Sequence, residues 1–252
     1  MEVHHHPKLP EKKNWKAYIW EFLMLFLAVF CGFLAEYQLE HTIENKREKQ
    51  YITSMVEDAK TDTANLQQSI RSNVIRAKYL DTLATLCLNY TASGINDVHI
   101  YRLYKYALVH PSVVAPTERT LHQLKNAGGM RLLRNKIAVD SIVLYDDISK
   151  KLTEQQTYYE MYQNKSIDIG AQIMNFQSIA LIKNTPITNY ALTIDTTKKL
   201  VNRDNLKIIE FGNIIRTYQG VLQFYITRLA EMNQHAIQLI KTLRREYDVK
   251  EE

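Results

Sequence analysis

Histidines, cysteines, carboxylates and hydroxyls are the groups with which this chain could hold a metal or run a reaction, so their spacing comes first. His4, His5 and His6 are adjacent. Such a tract chelates Zn²⁺ or Ni²⁺ weakly, whereas a defined zinc site takes about four ligands from a fixed scaffold. The tract therefore reads as incidental chelation. His41, His99, His110, His122 and His235 show no HExxH and no paired-ligand spacing. Gly128-Gly129 lies in LKNAGGMRLL and lacks the GK[ST] of a phosphate loop, so it reads as a helix stop. Asp140, Asp146 and Asp147 have roughly helical spacing, but the adjacent pair points to different faces and no calcium-loop pattern surrounds them. Ser141 and Ser149 sit in no motif that would activate a nucleophile. Cys31 falls in an apolar run and Cys87 on an apolar stripe, so no disulfide framework is implied. These spacings assign no catalytic, cofactor-binding or metal residue, and the chain reads as a protein without enzymatic activity.

Two groups of residues suggest contact chemistry instead. Glu21, Leu25, Ala28, Gly32 and Ala35 recur at spacings of three and four, which puts them on one stripe of a helix. Ala28 and Gly32 form a small-xxx-small pair that permits close approach of another apolar helix. Glu21 near the start of that run either snorkels to the interface or makes a polar contact with a neighbouring helix. The second group is Tyr158, Tyr159 and Tyr162, three of sixteen tyrosines. They either form an exposed binding surface or seal a half-wet bundle.

The elements that must carry these groups begin with Trp15 to Glu36, WKAYIWEFLMLFLAVFCGFLAE. Ala17 to Ala35 as a helix covers about 28 Å, close to the hydrocarbon thickness of a bilayer of about 30 Å. Glu21 is its one charged residue, and Trp15, Tyr18, Trp20 and Tyr37 stand at the ends, where amphipathic rings prefer the headgroups. A cut after Ala35 would place Phe33 at the −3 position, and Phe30 before Cys31 is too bulky for a lipobox, so the run reads as a retained anchor rather than a signal peptide. Lys8, Lys12, Lys13 and Lys16 precede it, while Lys46, Arg47 and Lys49 follow at a distance. That asymmetry predicts a cytoplasmic N-terminal tail over 1–14 and a domain outside the cytoplasm.

After the anchor, neither Gly nor Pro occurs before Gly94. A polar helical stalk is predicted over 37–51. Ile52, Val56, Ala59, Thr63, Leu66, Ile70, Val74, Ala77, Leu80, Ala84 and Cys87 then repeat with helical period. Residues 38–90 form either one helix or two joined by a kink. Asn96 can cap a helix from Asp97 to about Leu108, and Pro111 and Pro116 bracket a loop. A helix within ERTLHQLKN stops at Gly128-Gly129, and MRLLRN adds a turn or two. Asn135 or Lys136 opens a helix to about Asn164, with a further one over Ser166–Lys183. Asn184 to Asn205 is a loop rich in Thr, Asn and Asp in which a short strand at Ala191 to Ile194 is left open. Asn205 to Tyr247 is a second long helix, with Leu206, Ile209, Ile214, Tyr218, Leu222, Tyr225, Leu229, Met232, Ala236, Leu239 and Leu243 as its apolar side, able to return antiparallel to the 52–90 helix. The expected fold is all-α: a transmembrane helix over 15–36, a stalk, and an elongated antiparallel helical bundle over 52–252.

MEVHHHPK, WEFLMLFLAVFCGFLAEYQLEH and REKQYITSMVEDAKTDT, with TERTLHQLKNAGGMRLLRNK further on, resemble a family of uncharacterised Bacteroidetes single-pass membrane proteins. The resemblance implies a bacterial inner-membrane protein with a helical periplasmic domain, and brings no activity or site residue. The net charge of +5 is spread over both signs without a basic block, so no nucleic-acid partner is expected. The expected partners are the lipid bilayer and, through the transmembrane helix, a second copy or other membrane proteins. The expected role is a membrane-anchored structural or protein-interaction module of the cell envelope. The alternative is a ligand-sensing ectodomain signalling through a separate membrane partner.

Overall fold

The computed structural model describes residues 14–91, 97–109, 111–126, 128–181, 192–194 and 199–250. The histidine tract, Asn96 and most of the 184–205 loop lie outside them. Helix α1 runs unbroken over Trp15–Leu88, and the absence of Gly and Pro after Gly32 explains why no kink interrupts it. The chain divides into two compact units, Met1–Gln50 and Tyr51–Glu252.

In the first unit α1 carries one apolar stretch long enough to cross a membrane, and none of that stretch is buried. Phe22, Phe26 and Phe30 stack along it with ring centroids 6.3 and 5.9 Å apart.

The second unit contains the end of α1, then α2 (Asp97–Leu108), α3 (Arg119–Asn126), a 3₁₀ turn at Gly129–Leu132, α4 (Lys136–Ile173) and α5 (Asn205–Tyr247). Contacts between these elements give their directions. Asp62 meets Tyr145 and Arg76 meets Tyr159, so α1 and α4 run parallel. Asp81 meets Arg216 while a Cβ at Gly212 would touch Cys87 and Leu88, so α5 runs back along α1. Between them the chain descends in pieces: Ser112 lies beside Asn73, Thr117 beside Asp62, Thr120 beside Asp58, and Gly129 beside Tyr51. Thus α2, an extended stretch over 111–118 and α3 together form one descending limb. The unit is an up-down-up-down four-helix bundle whose second limb is broken.

Local chemistry explains the pieces. Pro111 and Pro116 deny the second limb a continuous helix. Gly128 turns it with φ 69, a left-handed conformation that a side chain would strain. The Asn135 side chain accepts from Ala138 N to cap α4, and Asp204 caps α5 by accepting from Leu206 N. The break expected near Asn164 is absent: α4 is one helix to Ile173, since nothing in QNKSIDIG stops a helix and Ile169 and Ile173 continue its buried side. The strand left open is present as β2 (Leu192–Ile194), paired antiparallel with β1 (Ile179–Leu181).

The core is rich in tyrosine, with Tyr101, Tyr159, Tyr218 and Tyr225 fully enclosed. Tyr159 packs between Tyr225 and Tyr218 at 4.9 and 5.5 Å between centroids. Two apolar stripes read from sequence need correction. On α1, Asp62, Ser69, Asn73 and Arg76 are buried, while Val74 is 40% exposed. The interior positions run 59, 62, 66, 69, 73, 76, 80, 83 and 87, alternating steps of three and four. On α5, Leu206 is exposed, and Ile208, Phe211 and Ile215 face inward at the start of the helix.

Candidate functional site

The descending limb creates the most unusual chemistry in the bundle, because an extended segment packed against helices cannot satisfy its own backbone. Side chains do so instead. Gln163 donates to Leu108 O at 3.2 Å, and Ser69 and Asn73 donate to Ser112 O at 3.0 and 2.7 Å. Val114 N donates to the Tyr225 hydroxyl at 3.2 Å. Thr117 gives its N–H and its hydroxyl to Asp62 at 2.9 and 2.7 Å, and the Tyr145 hydroxyl donates to the same carboxylate. Asp58 accepts from Thr120 N at 3.1 Å and from Arg119 at 2.7 Å. Each such group left unpaired would cost about 1–3 kcal/mol, which is why polar residues displace apolar ones on this stretch of α1.

One turn beyond Asn73 on α1 lies Arg76, 5% exposed, whose Nη1 donates to the Tyr159 hydroxyl. Among the described residues no carboxylate pairs with Arg76, its Nε has no partner, and the Asn73 Oδ1 and Tyr218 hydroxyl nearby are likewise buried and unsatisfied. Burial pushes Tyr218 well above the ordinary phenol range, with Tyr159 adding to the effect and Arg76 opposing it. Burial also raises Tyr145, reinforced by the Asp62 carboxylate. Both stay neutral donors. On the outer side Asn65, Gln68, Ser69, Ser112, Val113, Val114 and Ala115 line a depression of about 240 Å³.

A second carboxylate centre closes the far end. Asp97, at the start of α2, accepts from Tyr90 at 3.1 Å, Leu200 N at 3.0 Å and Arg203 Nη2 at 2.8 Å. It joins three segments and has a cationic partner, which makes it a structural clasp.

The residues singled out from sequence fall as follows. Glu21, Leu25, Ala28, Gly32 and Ala35 all lie exposed on α1, and a Cβ at Gly32 would meet nothing within 4 Å. The tyrosine trio does not form one surface. Tyr158 is 58% exposed, but Tyr159 is wholly buried against Arg76, Tyr218 and Tyr225, and Tyr162 packs partly against the core. Consecutive helical positions diverge by about 100°, so 158 and 159 cannot share a face. Cys87 is buried and its thiol is pushed up to about 12, which leaves it inert at neutral pH. The described residues contain no group of three or more His, Cys, Asp or Glu able to hold a metal. Asp58, Asp62, Asp97 and Arg76 were not singled out by sequence reasoning. For Asp62 and Arg76 the signal was the three-four register, which places both on the interior line of α1.

The chain matches no protein-family model, and neither a curated protein nor a solved structure is significantly similar to it.

Proposed function

We propose that this chain is a single-pass, membrane-anchored structural or protein-interaction module of the bacterial cell envelope, without catalytic activity of its own. The observation that carries the reading is the unburied apolar stretch at the start of α1, ahead of a unit with a complete core of its own. An apolar helix of that length with no protein packed on it suits a bilayer. The four lysines ahead of the span support a cytoplasmic N-terminus and a periplasmic bundle in the inner membrane. The stripe of Glu21, Leu25, Ala28, Gly32 and Ala35 would then meet a second copy or another membrane helix, since Gly32 offers an open approach. The alternative, a ligand-sensing ectodomain acting through a separate membrane partner, draws on the polar layer around Arg76. The enclosed tyrosine core beside that layer favours the module.

A C-terminal reporter active only outside the cytoplasm is expected to report activity, and one active only inside it is expected to be silent. The reverse pattern overturns the topology. Replacing Gly32 with Leu is expected to reduce crosslinked oligomer or co-purifying partner in mild detergent. Unchanged assembly removes this face as the contact.

A further inference from the structure

We infer that the polar layer of α1 next to the start of the 111–118 segment is an anion site, with Arg76 as its charge. A guanidinium does not shed its proton in a protein, so burial cannot be relieved by neutralisation as it is for lysine or histidine. A buried unpaired charge is strongly unfavourable, and buried charges are ordinarily matched by a counter-charge. Here the carboxylates on the same stretch of α1 are engaged elsewhere: Asp58 with Arg119 and Thr120, and Asp62 with Thr117 and Tyr145. Arg76 is left with neutral phenols alone, Tyr159 at hydrogen-bond distance and Tyr218 beside it.

Three further observations describe a binding site rather than a packing accident. Arg76 Nε is a buried donor with no acceptor, and the Tyr218 hydroxyl, close to both Arg76 and Tyr159, is buried without a well-formed bond. Both converge on the tyrosine cluster, since Tyr159 bonds Arg76 and packs on Tyr218. The nearest opening is the outer depression, whose lining includes Ser69 and Ser112 but not Arg76; both accept from Asn73, which is one helical turn before Arg76 on the same side of α1. The wall there is an extended stretch rather than a helix, held by side-chain bonds, and such a segment opens locally more readily than a helix. A planar guanidinium edge with a neighbouring phenol donor suits a small oxyanion, either inorganic phosphate or a carboxylate.

The site stands apart from the anchor. A failed titration leaves the proposed membrane role intact, and a misassigned topology leaves the anion site intact. The test uses the full chain in detergent, titrated with sodium phosphate and separately with sodium acetate at constant ionic strength. Thermal unfolding of the wild type is expected to shift upward saturably with one of them, and the shift is expected to vanish in Arg76→Met. A non-saturating rise of equal size in both proteins is general salt exclusion and overturns the proposal. Should Arg76→Met fail to fold, the Nε–H resonance of Arg76, assigned with Arg76→Lys, gives the answer in the wild type. Saturable movement with phosphate or acetate supports the site, whereas an unmoved resonance means that an ordered water alone fills the layer.

Discussion

Asp62 is the carboxylate that ties the extended segment to both α1 and α4. Its carboxylate takes three donors from two segments, Thr117 N, Thr117 Oγ1 and Tyr145 OH. Asp62→Ala strands all three and is expected to cost about 3 kcal/mol in urea unfolding, against about 1 kcal/mol for Tyr145→Phe. Equal effects of the two would mean that the bonds to Thr117 contribute nothing. The buried phenols also set an alkaline limit. Tyr104, Tyr145, Tyr218 and Tyr225 are raised by burial, and Cys87 is raised to about 12. These groups are acids held neutral in the folded state. Their contribution is complete below the unfolded values near 9 and 10 and is lost as pH rises above them. Stability should therefore fall from about pH 9 upward, with tyrosinate absorbance appearing together with loss of helical circular dichroism. Tyrosinate that appears well before unfolding would show these rings to be open to solvent.

At the level of elements, the two glycines of α5 separate a tight helix contact from a free surface. A Cβ at Gly212 would stand 3.0 Å from Cys87 Cβ and 3.1 Å from Leu88, whereas Gly220 has nothing within 4 Å. Gly212→Ala should destabilise by about 1–2 kcal/mol, because overlap with α1 exceeds the gain in helix propensity. Gly220→Ala should stabilise by about 0.5–1 kcal/mol. The same sign for both in thermal unfolding would refute the close approach of α5 to α1. Sequence showed each glycine only as a weak point in a helix, since what a glycine faces depends on its neighbour. The helices themselves were legible: α2, the stop at Gly128-Gly129 and the extent of α5 follow from prolines, glycines and caps. The interior face of α1 was not. Val74 looked like a core residue by type, but the broken limb opposite needed hydrogen bonds, so Ser69 and Asn73 turned inward.

For the whole molecule, the compact unit over Tyr51–Glu252 encloses its own core, and the stretch ahead of it contributes an apolar surface without packing. A fragment starting at Tyr51 is therefore expected to stay soluble without detergent and to unfold in one cooperative step. The full chain should require detergent or lipid. Aggregation of the fragment, or a broad non-cooperative melt, would show that the core depends on the first fifty residues. The overall antiparallel return of α5 along α1 was legible from length and periodicity, because two long amphipathic helices near the ends of a chain have few other ways to bury their stripes. The site behind the broken limb was not legible, since it depends on partners far apart in the chain.

That separation has a consequence during synthesis. The ion pair between Asp81 and Arg216 spans 135 residues. At elongation rates of about 5–20 residues per second the apolar side of α1 waits on the order of ten seconds for α5 to be made. Throughout that interval the nascent chain presents a sticky, half-dressed helix, which makes it a natural client for a holdase chaperone until its last forty residues emerge.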